Sequence, residues 1–140
     1  MADVIVETKE SFRTEVRMGR HTFVADEPES AGGGDEGPNP YQLLAAALGT
    51  CKNMTLRYYA KREGIPLEGV RTWITHERKH ARDCSDCEQD SGYIHEFHVK
   101  LQIEGSSLTS GQRAKLLEIA GRCPVAKTLK NEIRIRDEIV

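Results

Sequence analysis

Apolar positions recur every second residue near the N-terminus and again in the middle of the chain, while a helical repeat near 3.6 fills the stretch between. Residues 4–7, 12–17 and 20–25 read as strands, the last two separated only by Met18-Gly19, which predicts a β-hairpin. Residues 26–37 are rich in Glu, Gly and Pro around Gly32-Gly33-Gly34 and predict a mobile loop with nothing to pack. Asn39-Pro40-Tyr41-Gln42 then supplies a helix N-cap, a proline at the first helical position and a Gln placed to close a capping box. The helix should run from Pro40 to about Arg62 and end at Gly64 and Pro66. Leu44, Leu48, Cys51 and Tyr58 fall on one stripe of it, which puts Cys51 inside or at a buried seam.

Residues 67–78 alternate as a strand, with Val70, Thr72 and Ile74 opposite Arg71, Trp73 and Thr75. The matching strand is residues 93–103, where Tyr93, Phe97, Val99, Leu101 and Ile103 share one side; residues 79–92 between them form a polar loop. Thr109 and Gln112 frame a second capping box ahead of Leu116, Leu117 and Ala120, and this helix stops near Gly121. Cys123 then caps a short helix begun by Pro124, and Ile133 and Ile135 mark a last strand over residues 132–136. The order β-β-β, long α, β-β, α-α, β predicts an α+β fold with antiparallel pairing around a long central helix.

Composition narrows the function classes. A chain of 140 residues is expected to form one domain over residues 1–140. With a net charge of −2 and no clustered basic stretch, neither nucleic acid nor an anionic membrane is indicated as a partner. Residues 1–6 lack a positive n-region and a long apolar core, and no segment is long enough to span a bilayer, so a cytoplasmic location is expected. In a reducing compartment, four cysteines are more readily thiols, metal ligands or redox groups than a disulfide framework.

Cys51 and Cys123 occupy complementary settings. The first sits in an apolar helical wall; the second lies at a helix N-terminus, where backbone N–H groups stabilise a thiolate. The stretch Gly37-Pro38-Asn39-Pro40-Tyr41-Gln42-Leu43-Leu44-Ala45-Ala46-Ala47-Leu48-Gly49-Thr50-Cys51, followed later by Arg122-Cys123-Pro124-Val125-Ala126-Lys127, resembles the OsmC/Ohr family of peroxide-detoxifying proteins. The resemblance covers essentially the whole chain. It implies an intertwined homodimer with active sites at the interface, serving oxidative-stress defence as an organic hydroperoxide reductase with no required cofactor. It also implies that Cys51 is the peroxidatic thiol and Cys123 the resolving thiol, with a small hydrophobic hydroperoxide as substrate and a dithiol or lipoyl protein as reductant. An arginine offsets the sulfur's charge in the family, and Arg17 is its best match by position, with Arg20 as the fallback. Tyr41 and Leu48 join Arg20 as candidates to line the substrate pocket.

The chain departs from the family pattern after Asn39-Pro40, where the family's arginine-clamping Glu is replaced by Tyr41. A tyrosine hydroxyl carries no fixed charge at neutral pH, which leaves Glu27, Glu29, Asp35 or Glu36 to supply the carboxylate. The alternative reading is a small-ligand-binding or redox-sensing protein on the same fold with little turnover.

A separate sulfur motif lies at Cys84-Ser85-Asp86-Cys87. Its spacing suits a tight disulfide or one metal ion, and a zinc site would use Cys84, Cys87 and His80. His76 is about 13 Å from His80 along an extended strand, too far to share that ion unless the chain turns. Taken singly, Cys51 reads as a small core residue, Cys84 and Cys87 as free thiols of a solvated loop, and His95 as a satisfied, partly buried histidine.

Overall fold

The computed structural model describes residues 4–140; residues 1–3, part of the N-terminal stretch read above for a leader, lie outside the described residues. The chain divides into two compact units, residues 1–44 and 45–140. In the first, β1 (Val4–Thr8), β2 (Thr14–Met18) and β3 (His21–Ala25) form an antiparallel meander in that order. Val16 of β2 stands opposite Val6 on one side and Phe23 on the other. Among the three strands, buried residues are Val16 of β2 and Ala25 of β3, whereas Val4, Ile5 and Val6 of β1 are all more than half exposed.

The loop after β3 is not the mobile segment its composition suggests. Asp26 is buried, and its carboxylate accepts the backbone N–H groups of Glu27 at 2.8 Å, Gly34 at 3.2 Å and Glu36 at 3.2 Å. A short 3-10 helix at Glu29–Ala31 bends the chain so that these donors converge. The bend needs glycine at position 33, since a Cβ there would sit 2.0 Å from the Glu27 carbonyl oxygen. Charge and polar backbone thus replace the missing apolar residues as the packing agent. Burial works to raise the Asp26 carboxyl, but the N–H donors of Glu36, Glu27 and Gly34, with the charge of Arg13, prevail and hold it below the usual carboxylate range.

The long helix forms as expected, as α1 (Pro40–Glu63). Its capping box is complete: Gln42 N–H donates to Asn39 Oδ1 at 2.8 Å, and Asn39 N–H donates to Gln42 Oε1 at 2.9 Å. The buried stripe differs from the one read by periodicity. Leu48, Gly49, Lys52, Leu56 and Ala60 face inward, while Tyr58 is 69% exposed and Leu44 lies at the surface.

In the second unit β4 (Gly69–His80) and β5 (Tyr93–Glu104) pair over all twelve residues, from Gly69 opposite Glu104 to His80 opposite Tyr93. The strands therefore extend further toward the tip than expected, leaving a shorter connection that holds a 3-10 turn at Ala81–Asp83. α2 (Ser110–Ala120) starts at the predicted capping box, with Gln112 N–H donating to Thr109 Oγ1 at 3.1 Å and Thr109 N–H to Gln112 Oε1 at 3.0 Å. α3 (Pro124–Lys130) follows with Cys123 as its N-cap. Leu56 and Ala60 of α1, Leu67, and Leu116, Ile119 and Ala120 of α2 make the main core, against which Val70, Leu101 and Ile103 of the hairpin pack.

Long cations join the elements where apolar surface ends. Lys52, buried on α1, donates to the Ala120 carbonyl at 2.9 Å and so satisfies a C-terminal carbonyl of α2. Arg57 donates to the Leu67 and Glu68 carbonyls at 2.7 and 3.1 Å, and Arg113 to those of Ile103 and Gly105 at 2.6 and 3.0 Å. The expected last strand over residues 132–136 is absent. Ile133 and Ile135 are 52% and 81% exposed, and this segment joins no ladder among the described residues, without which alternation alone makes no strand.

Replacing Asp26 with Asn should lower Tm by about 5 °C at neutral pH, because an amide oxygen cannot serve three donors as a carboxylate does. Folding lowers this carboxyl, so its contribution is full above the unfolded pKa and is lost as pH falls through the folded value. The wild-type and D26N melting curves should therefore converge on acidification; a gap that stays constant at acid pH would refute the assignment.

Candidate functional site

Cys51 and Cys123 meet in one apolar cluster. Leu48, Cys123 and Ala126 form its buried centre, and Cys51, Ile74, Phe97, Val99, Val125 and Leu129 pack around them. Three elements make it: α1 carries Leu48 and Cys51, the hairpin supplies the floor, and α3 brings Cys123 and Ala126. The two sulfurs are the free thiols among the described residues, Cys51 half-buried and Cys123 fully buried. Cys123 Sγ accepts the Ala126 N–H at 3.4 Å, the bond a serine would make as an N-cap. Beside Cys51, α1 approaches β4 so closely that a Cβ on Gly49 would lie 2.8 Å from Ile74 Cδ1. The cluster combines a partly accessible sulfur with an enclosed one, in surroundings whose polar partners are backbone groups.

The charged candidates lie in the first unit. Arg17 is on β2, half exposed, with its Nε 3.6 Å from Glu15 Oε1; Arg20 follows the β2–β3 turn and is exposed. Glu36, one of the acids weighed as a substitute clamp, instead pairs with Arg13 at 3.3 Å. Tyr41 stands at the start of α1, 51% exposed, and Leu48 is in the buried centre of the thiol cluster. The sequence reading missed Glu15 as a partner for Arg17, although two residues apart on a strand share a face.

The floor of the cluster continues into a histidine pair. His76 Nε2 and His95 Nδ1 are 2.8 Å apart with rings nearly parallel and stacked, and the His76 ring also touches Phe97, centroids 4.9 Å apart. His95 is exposed rather than partly buried. Further out, Lys79 and Glu96 form an ion pair. The hydrogen bond to Glu96 raises Lys79, and that from Lys79 lowers Glu96, each strengthened by the partner's charge.

At the hairpin tip Cys84 and Cys87 are joined as a disulfide, with Cα atoms 5.6 Å apart, so they are not the free thiols of the simplest loop reading. Their sulfurs and an Asp86 carboxylate oxygen lie within 4.8 Å of one another, a group that could hold a metal ion. His80 is not the third donor of that group. Its ring packs at a tilt against Tyr93, centroids 4.4 Å apart.

The family model for OsmC-like proteins matches residues 32–137, which include α1, the hairpin, α2 and α3 and therefore both sulfur sites. The chain belongs to the OsmC-like family. Solved structures agree on the fold. A protein from Psychrobacter arcticus named for osmotic stress induction and detoxification response is 22% identical, covers 91% of this chain and 88% of its own, and has a TM-score of 0.71. An organic hydroperoxide resistance protein OsmC from Legionella pneumophila is 21% identical, with 91% and 89% covered and a TM-score of 0.65. An organic hydroperoxide resistance protein from Elizabethkingia anophelis is 19% identical, with 93% and 89% covered and a TM-score of 0.66. No curated protein sequence matches the chain. Among the described residues, no helix of this OsmC-like chain is long and apolar enough to cross a membrane.

The close approach at Gly49 makes the thiol cluster sensitive to volume. Gly49→Val should push Ile74 aside and cost about 1–3 kcal/mol of stability. It should also expose Cys51 and Cys123 to alkylation faster than in wild type. Unchanged denaturant midpoints and labelling rates would show that α1 and β4 are not in the contact described.

Proposed function

We propose that this OsmC-like protein reduces organic hydroperoxides through Cys51 and Cys123, at the expense of an external dithiol. The observation that carries the reading is the convergence of these two thiols, far apart in sequence, on one apolar cluster in a chain of this family. The names of the Legionella and Elizabethkingia proteins agree with it. The Cys51 thiolate attacks the outer oxygen of the hydroperoxide. The O–O bond breaks, the alkoxide leaves and takes a proton to become an alcohol, and Cys51 is left as a sulfenic acid. Cys123 then attacks that sulfur, water departs and a disulfide forms. Two exchanges with a dithiol restore both thiols and release the reductant as its own disulfide.

The surroundings suit this division of roles. Leu48, Phe97, Val99 and Val125 offer an apolar wall for the alkyl part of the substrate, and Cys51 is the more accessible sulfur. Arg17, paired with Glu15 at 3.6 Å, is the cation assigned to the developing negative charge. We assign the site to a homodimer. Val4, Ile5 and Val6 of β1, Tyr58 of α1 and Trp73 of β4 are about half exposed or more, and a second copy of the chain would cover them.

Reduced protein treated with cumene hydroperoxide should form a Cys51–Cys123 disulfide and consume the peroxide. C51S should abolish consumption, C123S should stop at a sulfenic acid trapped by dimedone, and Arg17→Ala should slow the first step by about a hundredfold. Peptide mapping that finds both thiols free after peroxide treatment would end the peroxidase reading.

A further inference from the structure

We propose that the hairpin tip is a redox-gated binding site for a zinc-class divalent ion: closed as the Cys84–Cys87 disulfide, and open to the ion once the two sulfurs are reduced. The ligands would be Cys84, Cys87 and Asp86. Three donor atoms of the chemistry zinc prefers already lie within 4.8 Å of one another, all supplied by one four-residue segment. Two thiolates on a tetrahedral ion stand roughly 3.8 Å apart, given Zn–S bonds of about 2.3 Å. Side-chain rotation reaches that separation from Cα atoms 5.6 Å apart without moving the backbone. Cys84 Sγ is already 3.2 Å from Asp86 Oδ1, so the carboxylate borders the space the ion would take.

The backbone around the segment is held independently of the sulfur bond. Ala81 is buried and donates its N–H to the Gly92 carbonyl at 2.9 Å, and Cys84 N–H donates to the Ala81 carbonyl at 3.0 Å. On the return side the Gln89 amide donates to the Tyr93 carbonyl at 2.9 Å. Reduction would therefore free two side chains within a loop that keeps its path. Charge favours a cation there: residues 81–92 contain Asp83, Asp86, Glu88 and Asp90 against Arg82 alone. Deprotonated sulfurs in such a setting are stabilised by bound metal more than by their neighbours.

The exchange balances. A dithiol attacks the disulfide and leaves as its own cyclic disulfide, giving two electrons and two protons to Cys84 and Cys87. A divalent zinc ion then displaces those two protons as it binds. Hydrogen peroxide reverses the step: it takes two electrons from the bound thiolates and, from solution, the two protons released at binding, and the products are two waters, the disulfide and free zinc.

The test uses the full chain carrying C51S and C123S, in which serine retains the N-cap at position 123, alongside the wild type. After reduction with a phosphine and its removal, the protein is loaded with zinc alone and examined by native mass spectrometry. One ion per chain should survive gel filtration, and none should be retained by the oxidised form. Cobalt in place of zinc should give the thiolate charge-transfer absorption. C84S or C87S should weaken binding at least about a hundredfold and Asp86→Asn about tenfold, while His80→Ala should leave it unchanged. Equal retention by oxidised and reduced protein, no retention by either, or binding that survives C84S would overturn the proposal. Loss in H80A without loss in D86N would overturn the ligand set.

Discussion

A two-stranded hairpin twelve residues long cannot hide either of its faces, and the second unit is organised by the need to cover one of them. α1 does this by close approach rather than by bulk. Gly49 lets the helix settle onto Ile74, and from there Leu56 and Ala60 carry the contact along the hairpin to Val70, Leu101 and Ile103. α2 closes the same core with Leu116 and Ile119, and its end is tied to α1 by the buried Lys52. The thiol cluster is the other end of this contact. Cys51 belongs to the helix that covers the hairpin, and Cys123 to the helix that continues from α2, so the packing that builds the core also brings the sulfurs to one place.

Local rules that need no partner were legible in the sequence. Both capping boxes and the Cys123-Pro124 helix start formed as read, because each is satisfied within four residues. The alternation of β4 and β5 was also legible, since each strand supplies the other's ladder. What failed depended on partners that a local pattern does not contain. Ile133 and Ile135 alternate correctly but find no edge among the described residues, and Tyr58 was read onto the covered stripe of α1 although that stripe runs through Leu56 and Ala60 on either side of it and leaves Tyr58 facing away. The order around Asp26 was hidden for the opposite reason. A Gly- and Glu-rich stretch carries no apolar signal, yet one buried carboxylate collects three of its backbone donors. Lys52 was passed over because a lysine on a helix is normally at the surface.

The chain contains two kinds of cysteine pair, separated by medium. Cys51 and Cys123 sit among Leu, Ile, Phe and Val, where an ionised sulfur has only backbone N–H groups and whatever cation is brought to it. Cys84 and Cys87 sit half-buried among acids, where an ionised sulfur meets like charge. In the first setting the proposed peroxidase chemistry would bring a small apolar oxidant beside the thiol and keep water from the sulfenic acid. In the second, a thiolate pair is disfavoured unless oxidation or a cation removes its charge. The two proposed chemistries thus use the same element on one fold.

In the proposed peroxidase, Tyr41 stands where the resemblance implies a clamping Glu, so the orientation of Arg17 would have to come from another group. Glu15, two residues from Arg17 on the same strand, is the carboxylate the chain provides. Both side chains are about half exposed, and an ion pair of that kind contributes about 1 kcal/mol or less and is screened by salt. Such a pair narrows the arginine's range without fixing its direction. In the proposed homodimer, a second copy seated on Val4, Ile5 and Val6 of β1, uncovered beside β2, would exclude water from the pair and narrow that range further. On the proposed reading the arginine's aim would then depend on assembly, so thiol reactivity in this chain should rise with the fraction of dimer.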